Sequence, residues 1–334
     1  MTAKKQPGAA PLPPPAPAVR YLTIDAGHAG QRLDNFLIGQ LKGVPKTHIY
    51  RILRKGEVRI NKGRSRPDYR LQLGDVVRLP PVRTGGARLQ AELADGRAME
   101  RFAWLEGRIL YEDDSLVVLD KPAGLPVHGG SAAPVGLIEA LRALRPHAPF
   151  LELAHRLDRD TSGCLVLAKA RSALTRLHEL LRAGEVDKRY RALVEGVVGG
   201  RMQRVAAPLR KDRLRSGERL VRVTEEGEGK ESASSFVALR AYPGATLVEI
   251  RLHTGRTHQA RVHAAHLGHP LAGDEKYGDK AFNRRLRGLG LRRLFLHAAS
   301  LAFTHPVTGR TLRIEAPLPA ELEAVLQGLA VPGR

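Results

Sequence analysis

Apolar positions recur along the chain in blocks whose spacing changes with the element they predict. Leu33, Phe36, Leu37 and Leu41 follow one another at helical spacing and stop at Gly43-Val44-Pro45. Thr47 caps a second short helix that faces inward with Ile49, Ile52 and Leu53 and ends at Gly56. Val58 with Ile60, then Leu71, Leu73, Val77 and Leu79, mark short strands joined by polar turns. Farther on, Val117-Val118-Leu119 reads as a buried strand entering the Lys121-Pro122-Ala123-Gly124 turn. Ser172 opens a helix with Leu174, Leu177, Leu180 and Leu181 inside and Gly184 as its stop. Lys188, Tyr190, Ala192 and Val194 alternate with Arg189, Arg191 and Leu193, which predicts a strand carrying the two sets on opposite faces.

These blocks divide the chain. Six of the 22 prolines stand among alanines in residues 1–20, predicting a disordered, partly polyproline tail in which no export helix can form. A small domain follows at 21–81, then a linker at 82–107 bearing Gly85, Gly86 and Gly96. Mixed strands and helices occupy 108–320, and 321–334 is left as a C-terminal tail.

Charge changes the picture more than composition does. The 55 Lys and Arg against 34 Asp and Glu give +21, which calls for a polyanionic partner. Nucleic acid fits better than membrane, because no basic amphipathic helix with an aromatic face accompanies the charge. The longest near-apolar stretch, 294–303, is too short to span a bilayer. A single cysteine, Cys164, excludes an internal disulfide and suits a reducing, cytoplasmic compartment. Residues 42–70 hold ten basic and two acidic side chains, with Lys46, Arg51, Arg54 and Lys55 on the outward side of the second helix. Such a face repels itself until something anionic covers it. Residues 201–222 and 284–293 are similarly basic and are expected to frame an RNA track.

Two segments carry chemistry. His155-Arg156-Leu157-Asp158-Arg159-Asp160-Thr161-Ser162-Gly163 reads as a loop between apolar elements. An arginine approaching Asp158 would keep that carboxylate ionised as nucleophile or base. An Asx turn closed by Asp158 or Asp160 explains the same residues structurally. Ser162 with His155 as base lacks a third residue to orient the histidine, and an aspartic-protease reading lacks a second carboxylate loop. The second segment runs from Thr254 to His263. Its neighbourhood holds four histidines within twelve residues (His258, His263, His266, His269), but no carboxylate interleaves them and no cysteine is near, so no metal is expected. Instead a helix start with Arg256 and Arg261 makes a positive pocket for a phosphate or for a carboxylate needing a counter-ion. There is no phosphate-binding glycine loop, so no nucleotide cofactor is expected.

The blocks His155-Arg156-Leu157-Asp158 and Thr161-Ser162-Gly163, with Asp120-Lys121-Pro122-Ala123-Gly124, Lys188-Arg189-Tyr190, and Thr254–His263 followed by Gly268-His269-Pro270 and Gly273-Asp274, resemble in order the RluA-type pseudouridine synthases. Residues 32–80 resemble an S4 RNA-binding domain. Val127-His128-Gly129-Gly130-Ser131 and Glu152-Leu153-Ala154-His155 are most similar to the subgroup that modifies several uridines of 23S ribosomal RNA. The resemblance implies an α+β fold with a mixed, mostly antiparallel sheet and a central RNA cleft, preceded by a small α/β S4-like domain. It implies a reaction that needs no cofactor, and a monomer is expected. It further implies that Asp158 is the essential carboxylate, Arg261 its cationic partner, and Tyr190 the ring that stacks on the target base and serves proton transfer at C5. Arg156 would fill the space vacated by a flipped nucleotide, with His155 and Arg256 beside the RNA. Asp120, Ala123 and Ala260 depart from the family's usual residues at positions outside the chemistry. On the residues alone, a non-catalytic RNA-binding assembly factor and an N-glycoside hydrolase stay open as rivals.

Overall fold

The structure, a computed structural model, describes residues 18–41, 44, 46–81, 97–129, 135–199, 202–213, 219–225 and 227–330. The expected tail at 1–17, the linker at 82–96 and the side chain of Lys46 lie outside these. The chain forms two compact units, the first ending at Ala98 and the second comprising Met99–Gly129 and Val135 onward.

In the first unit, β1 (Arg20–Thr23), α1 (Leu33–Gln40), α2 (Lys46–Arg54), β2 (Arg59–Ile60) and β3 (Val76–Leu79) follow the apolar spacing. The strands pair antiparallel in the order β1-β3-β2. Leu33, Phe36, Leu37, Ile49, Ile52, Val77 and Leu79 meet in one core. Buried Asp34 joins the two helices by accepting from Tyr50 Oη at 3.0 Å and from Arg32 at 2.8 Å. With Ile49, Ile52 and Leu53 turned inward, Arg51, Arg54 and Lys55 are left exposed on the outer side of α2.

Helix α3 (Arg97–Phe102) spans the boundary between the units and is followed by a 3-10 turn (Ala103–Arg108). Phe102 and Leu105 are buried, so the linker expected to reach residue 107 ends earlier. Then come β4 (Ile109–Glu112), β5 (Leu116–Lys121), α4 (Leu137–Leu144), β6 (Glu152–Leu153), β7 (Ser162–Ala168), α5 (Arg171–Ala183) and β8 (Asp187–Glu195). They are followed by β9 (Gln203–Ala206), β10 (Leu209–Arg213), β11 (Arg219–Val223), β12 (Ala233–Tyr242) and β13 (Ala245–Leu252). The chain continues through α6 (Gln259–His266), α7 (Lys280–Gly288), β14 (Leu296–Thr304), β15 (Thr311–Glu315) and α8 (Ala320–Ala330). Helix α5 starts one residue before the expected cap Ser172, with Ala170 in the N-cap position.

Among the described residues, ten strands form one sheet in the order β4-β5-β7-β14-β8-β13-β12-β9, with β15 on β14 and β6 on β7. Every pairing is antiparallel except β7 with β14. At that parallel junction Gly163 has φ +106°, and a Cβ there would stand 2.2 Å from the Ala298 carbonyl oxygen. Only glycine fits. Helix α8 buries Leu322, Val325 and Leu329 against Phe282, Leu286 and Phe295, which corrects the C-terminal tail expected from residue 321. Among the described residues, no helix is long and apolar enough to cross a membrane.

Candidate active site

Three elements meet at one cleft of about 530 Å³ in the second unit. The loop between β6 and β7 brings Asp158, β8 brings Tyr190, and the loop before α6, with α6 itself, brings His258 and Arg261.

The loop with Asp158 is held from beneath by Lys121, a fully buried side chain. Its Nζ donates to the carbonyls of Pro122 (2.7 Å), Leu125 (2.9 Å) and Arg159 (2.9 Å), and Gly124 N–H donates to the same Arg159 oxygen at 2.8 Å. Burial pushes the Lys121 amine down to about 7, while the charges of Asp160 and Asp158 oppose the shift. Three acceptors match the three N–H bonds of an ammonium. The role of the Asp120–Gly124 block is therefore to fix the carboxylate loop one residue past Asp158. The turn closes with Thr161 N–H donating to Asp158 O at 3.2 Å.

His155 lines the cleft, as expected of a residue beside the RNA, and is also tied into the fold. Its Nε2 accepts from Val166 N–H at 3.1 Å, and burial, then the charge of Lys188, push it down to about 4. It is a neutral acceptor that fastens the loop to β7. Ser162 is buried and outside the cleft lining, and its hydroxyl bonds His297 Nδ1 at 2.9 Å and Arg293 at 3.1 Å rather than His155, against a nucleophilic pair of Ser162 and His155.

Strand alternation puts Lys188, Tyr190 and Ala192 on the buried face of β8, as the sequence predicts. Tyr190 is 7% exposed and lines the cleft. Burial and the charge of Asp158 raise its phenol, so it stays protonated at neutral pH.

The third wall is built around Gln259. Its side chain accepts from Thr254 Oγ1 (2.7 Å) and Arg256 N–H (3.0 Å) and donates to Ala233 O and Ser234 Oγ (2.9 Å each). This anchors the turn in which His258 takes a left-handed backbone, φ +54°. Arg261, one helical step on, grips Asp274 through Nε and Nη2 at 2.7 Å each and leaves Nη1 3.7 Å from Asp158 Oδ2. Burial would raise the Asp274 carboxyl, but Arg261 and two backbone N–H groups hold it low. The Tyr277 ring covers the guanidinium at 5.0 Å. Tyr277 Oη accepts from Val221 N–H at 3.0 Å and bonds His258 Nδ1 at 2.8 Å, donating to it in the tautomer that turns an Nε2–H toward the Asp158 carboxylate. That Nε2 faces Asp158 Oδ2 at 3.9 Å. Burial lowers the His258 imidazole against the pull of Asp158.

Asp158 is the one carboxylate among the described residues lining the cleft, against Arg156, Arg182, Lys188, Arg256 and Arg261. Arg156 is exposed at the edge and has no ion pair among the described residues. Arg256 is exposed with its Nε on the Glu231 carbonyl at 2.9 Å, so part of the guanidinium supports the loop. The four clustered histidines diverge. His263 is buried against Ser232 and Ser234, His269 bonds the Glu195 carbonyl, and no three metal-ligating side chains converge among the described residues.

In the two further stretches expected to frame an RNA track, several arginines have protein partners. Arg285 donates to Pro243 O and Gly244 O, Arg287 pairs with Glu275, and Arg293 pairs with Glu321. In the β10–β11 hairpin Arg210 pairs with Asp212 and Glu228, and Arg222 with Asp212. Sequence reading gave no role to Asp274, Tyr277 or Lys188. The Gly273-Asp274 pair stood in the sequence as the visible signal for the first.

Comparison with known proteins agrees with this geometry. The family profile described as RNA pseudouridylate synthase matches residues 115–266, and the S4 domain profile matches 31–77. Ribosomal large subunit pseudouridine synthase C of Haemophilus influenzae is 54% identical over 315 residues, covering 93% of this chain and 95% of its own length. The Escherichia coli K12 protein of that name is 55% identical over 315 residues, covering 94% and 97%. The solved structure of Human RNA Pseudouridylate Synthase Domain Containing 4 superposes with a TM-score of 0.58 at 29% identity, covering 70% of this chain and 97% of that one. A cleft with one arginine-faced carboxylate, on a fold and sequence shared at this level, places the chain in the RluA-type family of RNA pseudouridine synthases, with an S4 domain at its N-terminal side.

Proposed function

We propose that the protein isomerises specific uridines of 23S ribosomal RNA to pseudouridine. The observation that carries this is Asp158, a lone carboxylate in a cationic cleft, with Arg261 at 3.7 Å and the Tyr190 ring of β8 in the same cleft. The N1–C1′ bond breaks, a C5–C1′ bond forms, the C5 proton leaves and N1 ends protonated, so the product has the mass of the substrate. Asp158 starts the reaction as nucleophile or base at the nucleoside, and Arg261 stabilises its charged form. Tyr190, held as a neutral phenol in the free enzyme, gives the uracil a face to stack on and a hydroxyl within the site.

A paired uridine cannot reach a side chain at the base of such a cleft. Extrusion costs a few kilocalories per mole, and exposed Arg156 at the rim is placed to occupy the gap. Arg256 contributes its remaining donors to the RNA backbone. Arg51, Arg54 and Lys55 on the S4 unit, with Lys46 on the same helix, hold phosphates away from the reacting base. The enzyme acts as a monomer in the cytoplasm.

Mapping pseudouridines in ribosomal RNA from cells lacking the gene, then complemented with wild type or Asp158→Asn, tests the assignment. Loss of defined 23S sites, restored by wild type alone, is the expected result. An unchanged map refutes it, and release of free uracil would make the protein a glycoside hydrolase instead.

A further inference from the structure

Lys188 is 7% exposed, lines the cleft and has no hydrogen-bond or ion-pair partner among the described residues. Its neighbours explain why that is costly. The carboxylate whose charge reaches it, Asp187, is on the opposite face of β8 and already paired with Arg189 at 2.8 Å and Arg251 at 2.7 Å. Glu249 on the same outer face is taken by Arg189 and Arg191. Inside the cleft the charge of Lys188 meets His155 and His253, with Arg182 in the same wall. The Nζ opens onto the cleft, and a poorly solvated ammonium without a partner is costly until something anionic arrives.

We infer that Lys188 is a substrate-binding residue whose ammonium seats a phosphodiester oxygen of the RNA strand next to the flipped uridine. Residues two apart on a strand lie about 7 Å apart. Lys188 therefore stands beside, rather than on, the base that faces Tyr190. Uracil's neutral carbonyls would leave the charge uncompensated, whereas a phosphate neutralises it as a point charge. This rests on the pseudouridine synthase reading and adds a contact to it.

The test uses the full chain and RNA oligonucleotides spanning a uridine that the wild type converts. Each phosphodiester flanking that uridine is replaced in turn by an uncharged methylphosphonate, and binding and single-turnover conversion are measured for wild type, Lys188→Met and Lys188→Arg. Lys188→Met is expected to weaken binding of native RNA by about tenfold or more, to reduce the salt slope by about one, and to melt no lower than wild type. At one linkage the methylphosphonate should weaken wild type but cost Lys188→Met nothing further, with Lys188→Arg responding as wild type does. Penalties that add at every linkage, or a Lys188→Met variant that binds as wild type but melts lower, overturn the subsite. Failure of the wild type to form pseudouridine in any ribosomal RNA would instead overturn the reading on which the subsite rests.

Discussion

Arg261 holds Asp274 with two 2.7 Å bonds, and the same guanidinium faces Asp158 at 3.7 Å. Because the fork is planar, fixing Nε and Nη2 on Asp274 also fixes where Nη1 points. Asp274, whose side chain is fully buried, thus acts as the rest on which the counter-ion of the reactive carboxylate is aligned. Lysine keeps the charge but not the fork. Arg261→Lys is expected to lower kcat by about a hundredfold or more, in the range seen for a lost preorganised charge contact, and to destabilise the fold by about 1–3 kcal/mol because Asp274 loses a charged donor. Single-turnover kinetics and urea unfolding check both; near-normal turnover would contradict the alignment.

Tyr277 sets a tautomer two residues away from the chemistry. Its hydroxyl receives Val221 N–H and bonds His258 Nδ1, donating to it in the tautomer that turns Nε2–H toward Asp158. Tyr277→Phe removes that bond and frees the imidazole to take the other tautomer, so kcat should fall by about tenfold with KM little changed. The pH profile should shift on its acid limb, since the His258 imidazole no longer has Nδ1 blocked. Equal losses in kcat and thermal stability, with an unmoved profile, would mean that Tyr277 only packs.

The parallel junction of β7 and β14 tests backbone necessity. Gly163→Ala would drive a Cβ into Ala298 O, at 2.2 Å, on a backbone with φ +106°. A loss of about 3 kcal/mol or more in urea unfolding is expected from strain and overpacking combined. A midpoint within error of wild type would show that the junction relaxes without cost.

His155 should make the protein acid-sensitive. Its folded-state pKa is pushed to about 4 against an ordinary 6.5, so the folded state binds its proton less readily than the unfolded one. Its stabilising contribution is whole above pH 6.5 and is lost as pH falls toward 4, amounting to about 2–3 kcal/mol. His155→Gln keeps an acceptor for Val166 N–H but does not titrate. Unfolding at pH 7 and pH 4.5 should show wild type losing about 2 kcal/mol more than the variant over that interval. Parallel losses in the two proteins would remove the histidine from the account.

The periodicity of apolar positions was enough to place α1, α2, α5 and the faces of β8, because burial of a single stripe or alternate face is a local property of the chain. The same periodicity is present in Leu322, Val325 and Leu329, yet it does not by itself distinguish a docked helix from a tail. Their partners Phe282, Leu286 and Phe295 lie distant in sequence, and a short helix is held by packing more than by its own propensity.

The sequence by itself determined which residues stand as candidates for the chemistry: Asp158, Tyr190 and Arg261 lie in ordered blocks and, in the structure, converge on one cleft. It also determined that the partner is a polyanion, since net charge is additive along a chain. Tertiary structure alone decided what each basic side chain is for. It spent Arg285, Arg287 and Arg293 on protein acceptors, tied His155 to Val166, gave Arg261 its rest on Asp274, and left Lys188 buried without a partner. The physical reason is that a charge's sign is written in its residue type, whereas its solvation and its nearest opposite charge depend on groups brought together from 13 to more than 100 positions away.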